Sequence, residues 1–295
     1  MKLIRTIYTL GLLVGLFASC SKESPLDGEQ YYKQVYIVGA YEVVQQFDVA
    51  YGDGPQNAYV AVATGGSQNI DRNVEVVLTH NDATIEWYNN KYMLDAPLKY
   101  QKLDDQFCSF PSMSTTIKAG DVYSRLPFTV ETSELDCDKL YALTFKIESV
   151  SNFVKQPKDT VLIMNLNMTN DFSGTYQMVA IRYTLTDNDE ELTPSSVNMQ
   201  RTLKAVNKNQ ARFFNVTQNS DLSPTGNITS EDYFNSIDNN GVTFTRQPDG
   251  TFTVAGWKNL PVSNGTVSFE DGTFTFCYDY ESGGKRYRLR GTMTK

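Results

Sequence analysis

The chain has 295 residues with 26 basic and 34 acidic side chains, and 12% of it is aromatic, chiefly 18 Tyr and 16 Phe. The acidic balance, a formal charge of −8, opposes non-specific binding to nucleic acid and to anionic lipid. The single histidine, His80, excludes any site that needs two histidines from one chain.

The chain opens on Lys2 and Arg5, continues with an apolar run from Ile7 to Phe17, and reaches Ala18-Ser19 just before Cys20. A positive start, a short apolar core and small residues at the end are the parts of a secretory signal, and the run is too short for a membrane span of roughly 20 apolar residues. The ending Leu-Phe-Ala-Ser-Cys resembles the lipobox of bacterial lipoproteins. That resemblance implies cleavage before Cys20 and a diacylated sulfur that anchors the chain in a membrane. The alternative is an ordinary cleaved signal with Cys20 as a stray thiol. Ser21 to Gln30 carries Lys22, Glu23, Asp27 and Glu29 without apolar periodicity, as a solvated tether does. Residues 1–19 are thus read as a signal peptide and 20–32 as a lipid-anchored linker. In Bacteroidota-type lipoproteins a charged stretch just after the cysteine accompanies export to the outer face, so the expected location is the outer membrane, facing outward.

Residues 33–169 alternate with period two. "AYVAVAT" places Val60 and Val62 on one face, "LPFTVET" does so with Leu126, Phe128 and Val130, and "LYALTFKIESV" with Tyr141, Leu143, Phe145 and Ile147. "VLIMNLNMT" sets Leu162, Met164 and Leu166 against Asn165 and Asn167. One polar face per strand predicts antiparallel sheets packed on one side. About seven such strands with turns between them are the signature of an immunoglobulin-like sandwich. "NDATIEWYNNKY" lacks the alternation and reads as a short helix, with Asp82 as its N-cap and Trp87 packing into the core. Of the remaining cysteines, Cys108 and Cys137 fall in this domain, and two states stay open for them, a bridge or free thiols.

Residues 170–295 form a second series. "GTYQMVAIRYTL" is a long strand. Asn-Gly and Asp-Gly turns at 240–241, 249–250, 264–265 and 271–272 separate "VTFTR", "TFTVAGW", "TVSFE", "TFTFCYDY" and "KRYRLRGTM". Such dipeptides supply the positive φ that tight hairpins need, so the series predicts an antiparallel meander closed into a barrel. "SEDYFNSIDNNG" is its one helix, with Ser230 as the expected cap. The fold class is therefore all-β, a sandwich followed by a barrel.

"EWYNNKY", "TTIKAGDVYSRLPFTVE" and "DCDKLYALTFKIESVSN", in that order, resemble the N-terminal domain of unknown function found in Bacteroidota-type lipoproteins and in endo-β-N-acetylglucosaminidase-like proteins. The chain departs from that pattern at Ala142-Leu143-Thr144, where a proline is usual. "DFSGTY" resembles the opening of the β-rich C-terminal domain that often follows, and of lipocalin-like barrels. The resemblance implies a surface protein that holds polysaccharide or glycoprotein glycans, alongside an outer-membrane transporter or other surface proteins.

The residues themselves offer little catalytic chemistry. Glycoside hydrolysis needs two carboxylates at a set separation, and the acidic runs "DNDEE" (187–191) and "LDD" (103–105) read as solvated loop charges. "DNDEE" lacks the glycine turn of a calcium loop. No Gly-x-Ser-x-Gly, phosphate loop or Cys-x-x-Cys occurs, so no enzyme, cofactor or metal is expected. Sugar binding asks for an exposed aromatic ring with nearby polar groups. Trp257 has the parity opposite to Phe252 and Val254 and so points outward at a strand end. Tyr280 is the residue of its row closest to a hairpin tip. Arg288 sits in the stripe Arg286, Arg288, Arg290. These three, Trp257, Tyr280 and Arg288, are the candidate glycan contacts. The alternative function is an adhesin-like or structural surface protein whose partner is another protein.

Overall fold

The structure, a computed structural model, describes residues 28–215 and 228–295. The lipid-anchor assignment at Cys20 and the leader before it lie outside those residues. Among the described residues, no helix is long and apolar enough to cross a membrane.

Two sheets face each other over residues 34–169. The first contains β1 (Gln34–Ile37), β3 (Gln56–Gly65), β6 (Cys108–Ser109), β8 (Tyr123–Val130) and β10 (Val154–Lys155), in the order β10-β1-β3-β8-β6. The second contains β2 (Val44–Ala50), β4 (Val74–Thr79), β7 (Ser114–Ile117), β9 (Leu140–Val150) and β11 (Val161–Thr169), in the order β2-β11-β9-β4-β7, with β5 (Tyr100–Lys102) added beside β9. The alternating residues meet in the middle: Val60, Val62, Leu126, Phe128, Phe145 and Leu162 are each at most 1% exposed. Burial of apolar area at roughly 25 cal/mol per Å² is what holds such a sandwich closed. The sandwich has more strands than alternation predicts, because β5, β6 and β10 are only two or three residues long. Strands that short leave no period to read.

The helix α1 (Ala83–Tyr92) covers the outer face of the second sheet, where Ile85 packs on Ala142 and Ile163. That is why β9 is buried on both faces, Thr144 included. Two expectations change here. Asp82 makes no side-chain cap bond. Its carboxylate accepts a bond from Thr144 Oγ1 at 2.9 Å and pairs with Lys102 at 3.1 Å. Trp87 is not core: it is 46% exposed, with Lys91 over its ring at 5.0 Å. Ile85 takes the buried position of this helix, so Trp87 stays on the outside.

The second series closes. β12 (Gly174–Leu185), β13 (Glu191–Asn207), β14 (Gln210–Phe214), β15 (Gly241–Arg246), β16 (Phe252–Gly256), β17 (Val262–Glu270), β18 (Thr273–Ser282) and β19 (Lys285–Thr294) each pair antiparallel with the next, and β19 pairs back onto β12. An eight-strand up-and-down barrel has no free edge. The helix α2 (Ser230–Asn240) lies between β14 and β15. Thr229, not Ser230, caps it: Thr229 Oγ1 accepts the Asp232 N–H at 3.0 Å, and Asp232 answers as a capping box. Ser230 instead donates to the carbonyl of Pro97 in the sandwich.

Candidate functional site

The three sequence candidates occupy settings other than the expected ones. Tyr280 shares its face of β18 with Phe274, Phe276 and Tyr278, and all four are at most 2% exposed. Because the barrel closes, the whole of that face turns inward, hairpin tip included. Tyr280 stacks on Tyr287 with ring centroids 5.3 Å apart, and burial pushes its phenol up. It is a core residue.

Arg288 is not a free cation. Asp279 on the neighbouring strand accepts from its Nε at 2.7 Å and its Nη2 at 2.9 Å, and Glu191 accepts from Nη1 at 3.2 Å. Arg290 also reaches Glu191, at 2.6 Å, and Arg286 reaches Asp189 at 2.5 Å. The "DNDEE" run and the arginine stripe therefore neutralise each other. Burial acts to raise Asp279, but the Arg288 bonds and the Asn264 amide outweigh it and hold the carboxyl below its usual range.

Trp257 follows the last residue of β16, so strand parity no longer directs it. Its ring lies under the Arg212 guanidinium, 4.5 Å from the centroid, and it joins the cluster of Phe214, Tyr233 and Ile237 below α2. Its Nε1 is buried with no partner. The tight turn beyond it depends on Gly256, where a Cβ would fall 1.9 Å from the Leu260 carbonyl oxygen. Trp257, half-buried, is thus part of a joint between the two β-units.

That joint is built on charge. Arg212 of β14 is 0% exposed and forms a fork with Asp138, which precedes β9 of the sandwich: Nη1 donates to Oδ2 at 2.9 Å and Nη2 to Oδ1. Lys204 stands 3.7 Å from the same carboxylate. Burial tends to raise Asp138, yet the two cations keep it below its usual range, and burial lowers Lys204. Around this point Leu98 packs into the α2 cluster, and Lys208 pairs with Asp53. Cys108, Cys137 and Cys277 are free thiols, and burial pushes Cys137, next to the joint, up to about 11.

Beside the joint the two units leave a cleft of about 980 Å³, at the large end of the roughly 300–1,000 Å³ typical of ligand sites. Its floor is the outer face of β2 and β11, where Gln46 lies opposite Asn165 and Asp48 opposite Asn167. Asp48 Oδ1 accepts from Gln46 Nε2 at 3.0 Å and from Asn167 Nδ2 at 2.7 Å. Two amides thus fix one carboxylate oxygen and orient the other. Asn165 Oδ1 is buried with no protein partner. A buried carbonyl oxygen without a partner costs about 1–3 kcal/mol, which a ligand hydroxyl would offset once the Asn165 side chain turns that oxygen into the cleft. Met93 and Leu98 supply an apolar wall, and Thr202, Lys204 and Lys295 line the barrel side. Alternation marks Asn165 and Asn167 as outward-facing, but it does not show that the barrel stands over them.

A family model described as an N-terminal domain matches residues 31–154, and a second described as a C-terminal domain matches residues 160–294. No curated protein matches the chain. Among solved structures, a Bacteroides ovatus protein of unknown function is 17% identical with a TM-score of 0.59, covering 89% of this chain and 94% of that one. A multidomain B. ovatus protein that includes a domain of unknown function, DUF1735, is 17% identical at TM-score 0.57, with the same coverage. An auxiliary nutrient binding protein of Bacteroides thetaiotaomicron is 17% identical at TM-score 0.57, covering 86% of this chain and 91% of that one. At that identity the likeness is one of fold. The chain is therefore similar, in tandem, to an N-terminal and a C-terminal family model, and it shares its fold with Bacteroides proteins over most of its length.

Proposed function

We propose that the chain is a non-catalytic glycan-binding lipoprotein, tethered through Cys20 at the outer face of the outer membrane. Its partner there is an outer-membrane transporter within a polysaccharide or glycoprotein-glycan utilisation system. The binding site is the cleft between sandwich and barrel. The observation that carries this reading is the amide–carboxylate row on its floor, with Asn165 Oδ1 buried and unpartnered. Amides and a fixed carboxylate suit a ring of hydroxyls, each both donor and acceptor. Among the described residues, Asp48 is the only acid lining the cleft. Hydrolysis of a glycosidic bond takes a pair of carboxylates about 5–9.5 Å apart, so the set favours holding over cutting.

The test is affinity electrophoresis and array binding of the purified protein against host and dietary glycans, beside Asn165→Ala and Asp48→Asn. The expected result is retention by at least one glycan class, weakened about tenfold by each substitution. That corresponds to the roughly 1.5 kcal/mol of one hydrogen bond to a charged or buried group. Retention of no glycan, or cleft variants that bind like the parent, would refute it.

A second reading, an adhesin-like protein that binds another protein, is favoured by one feature. Trp87 in the middle of α1, Tyr92 at its end and Leu94 just beyond are 46%, 56% and 66% exposed and lie close in sequence to Met93 of the cleft wall. Trp87→Ser with Tyr92→Ser would then abolish co-purification of a surface protein while leaving glycan retention unchanged. Loss of neither sets that reading aside.

A further inference from the structure

A second groove lies on the sandwich, on the far side of β2 from the cleft. Along β2, Gln46 and Asp48 line the cleft, while Gln45 and Phe47, of opposite parity, line this groove. On β3 the outward positions run Tyr59, Ala61, Ala63, a large ring followed by two small side chains. On the neighbouring β8, Arg125 sits opposite Ala61 and Tyr123 opposite Ala63. The small residues leave a groove of about 390 Å³.

Among the described residues, Arg125 is the only charged side chain that lines it. Its guanidinium lies 4.4 Å over the Tyr59 ring and 5.8 Å from that of Tyr123. Phe47 meets Tyr59 edge-on at 5.4 Å and supports that ring from the β2 side. Stacking engages the flat face of a guanidinium and leaves its N–H edge open to an acceptor. Arg72, Arg212, Arg286, Arg288 and Arg290 all have carboxylate partners, whereas Arg125 is exposed and pairs with no acid among the described residues. Tyr123, 50% exposed, presents a ring beside it.

We propose that this groove binds an acidic saccharide, a pyranose whose ring bears a carboxylate. The carboxylate takes the N–H fork of Arg125 in two parallel bonds, and the apolar face of the sugar lies on Tyr123. This site is independent of the cleft: its cation, ring and strand face are different ones.

The experiment is calorimetric titration of the purified full chain with oligogalacturonate, with a glucuronate-containing hyaluronan oligomer, and with the methyl ester of the oligogalacturonate, in which the ring is kept and the charge removed. The expected result is that at least one acidic probe binds, and at least tenfold more tightly than the neutral ester, with a preference that weakens as salt rises. Arg125→Gln, at an exposed position, should abolish the preference with melting unchanged. Arg125→Lys should restore only part of it, because an ammonium lacks the fork. Asn165→Ala should leave it intact, which separates failure here from failure of the cleft. Binding of neither acid, equal affinity for acid and ester, or an unaltered preference in Arg125→Gln would overturn the proposal.

Discussion

Asp138→Asn isolates the electrostatic joint between sandwich and barrel. The substitution keeps the shape of the side chain and removes its charge. Arg212, 0% exposed, then remains a buried cation with the Trp257 ring over it and Lys204 nearby. Removing one partner of a buried pair costs about 3–5 kcal/mol. Asp138 keeps 14% of its side-chain surface in water, so the low end applies, about 3 kcal/mol. For a chain of this size that is a drop of roughly 6–12 °C in melting temperature. The matched control is Asp53→Asn, which breaks the exposed pair with Lys208, 83% and 52% exposed, and should cost less than about 1 kcal/mol. Differential scanning calorimetry at pH 7 compares the two. Adding Arg212→Met to Asp138→Asn should recover much of the loss, since the stranded charge goes with it. Equal melting of the two single variants would refute the reasoning. The acid response has a fixed sign. Asp138 has a folded value below its unfolded one, near 3.9. Its stabilisation is therefore complete above about pH 4 and is lost as pH falls through the folded value.

Three further outcomes are expected. Tyr176→Phe should raise the melting temperature by a few degrees: the Tyr176 hydroxyl is buried with no partner, burial alone pushes it up to about 12, and removing it relieves about 1 kcal/mol. A fall in melting temperature would mean the hydroxyl is satisfied. Gly291→Ala should destabilise the barrel by about 1–3 kcal/mol in urea unfolding, because the added Cβ would fall 2.4 Å from both the Ala180 Cβ and the Val179 carbonyl oxygen where β12 pairs with β19. Metabolic labelling with a palmitate analogue in a Bacteroidota host should mark the parent and leave Cys20→Ser unmarked. An unlabelled parent would remove the tether from the account.

Much of the fold is visible in local chemistry. The period of two in β3, β8 and β11 places the core correctly, and the Asp-Gly turns at 249–250 and 271–272 mark hairpins of the barrel, whereas Asn240-Gly241 closes α2 and Asn264-Gly265 lies inside β17 at a shift of register. What local chemistry does not carry is closure. Tyr280 has the parity of Phe274 and Phe276, which is correct, but whether a strand end meets water depends on the barrel closing over it. Partners far apart in sequence are equally silent: Glu191 reaches Arg288 across 97 residues, and the "DNDEE" run and the arginine stripe each look solvent-bound when read alone. Trp257 shows a third limit, since parity ends where the strand ends. Asn165 and Asn167 did carry a signal, as amides in the middle of a strand that disfavours them. Their role emerges only when the barrel is set above the sheet.

The most direct test of the central claim is a crystal structure of the protein with the glycan it retains best. The account predicts a sugar in the cleft, with a hydroxyl within hydrogen-bond distance of Asn165 Oδ1 and another on the free oxygen of Asp48. A retained glycan seated elsewhere, with the cleft filled by water, would contradict it.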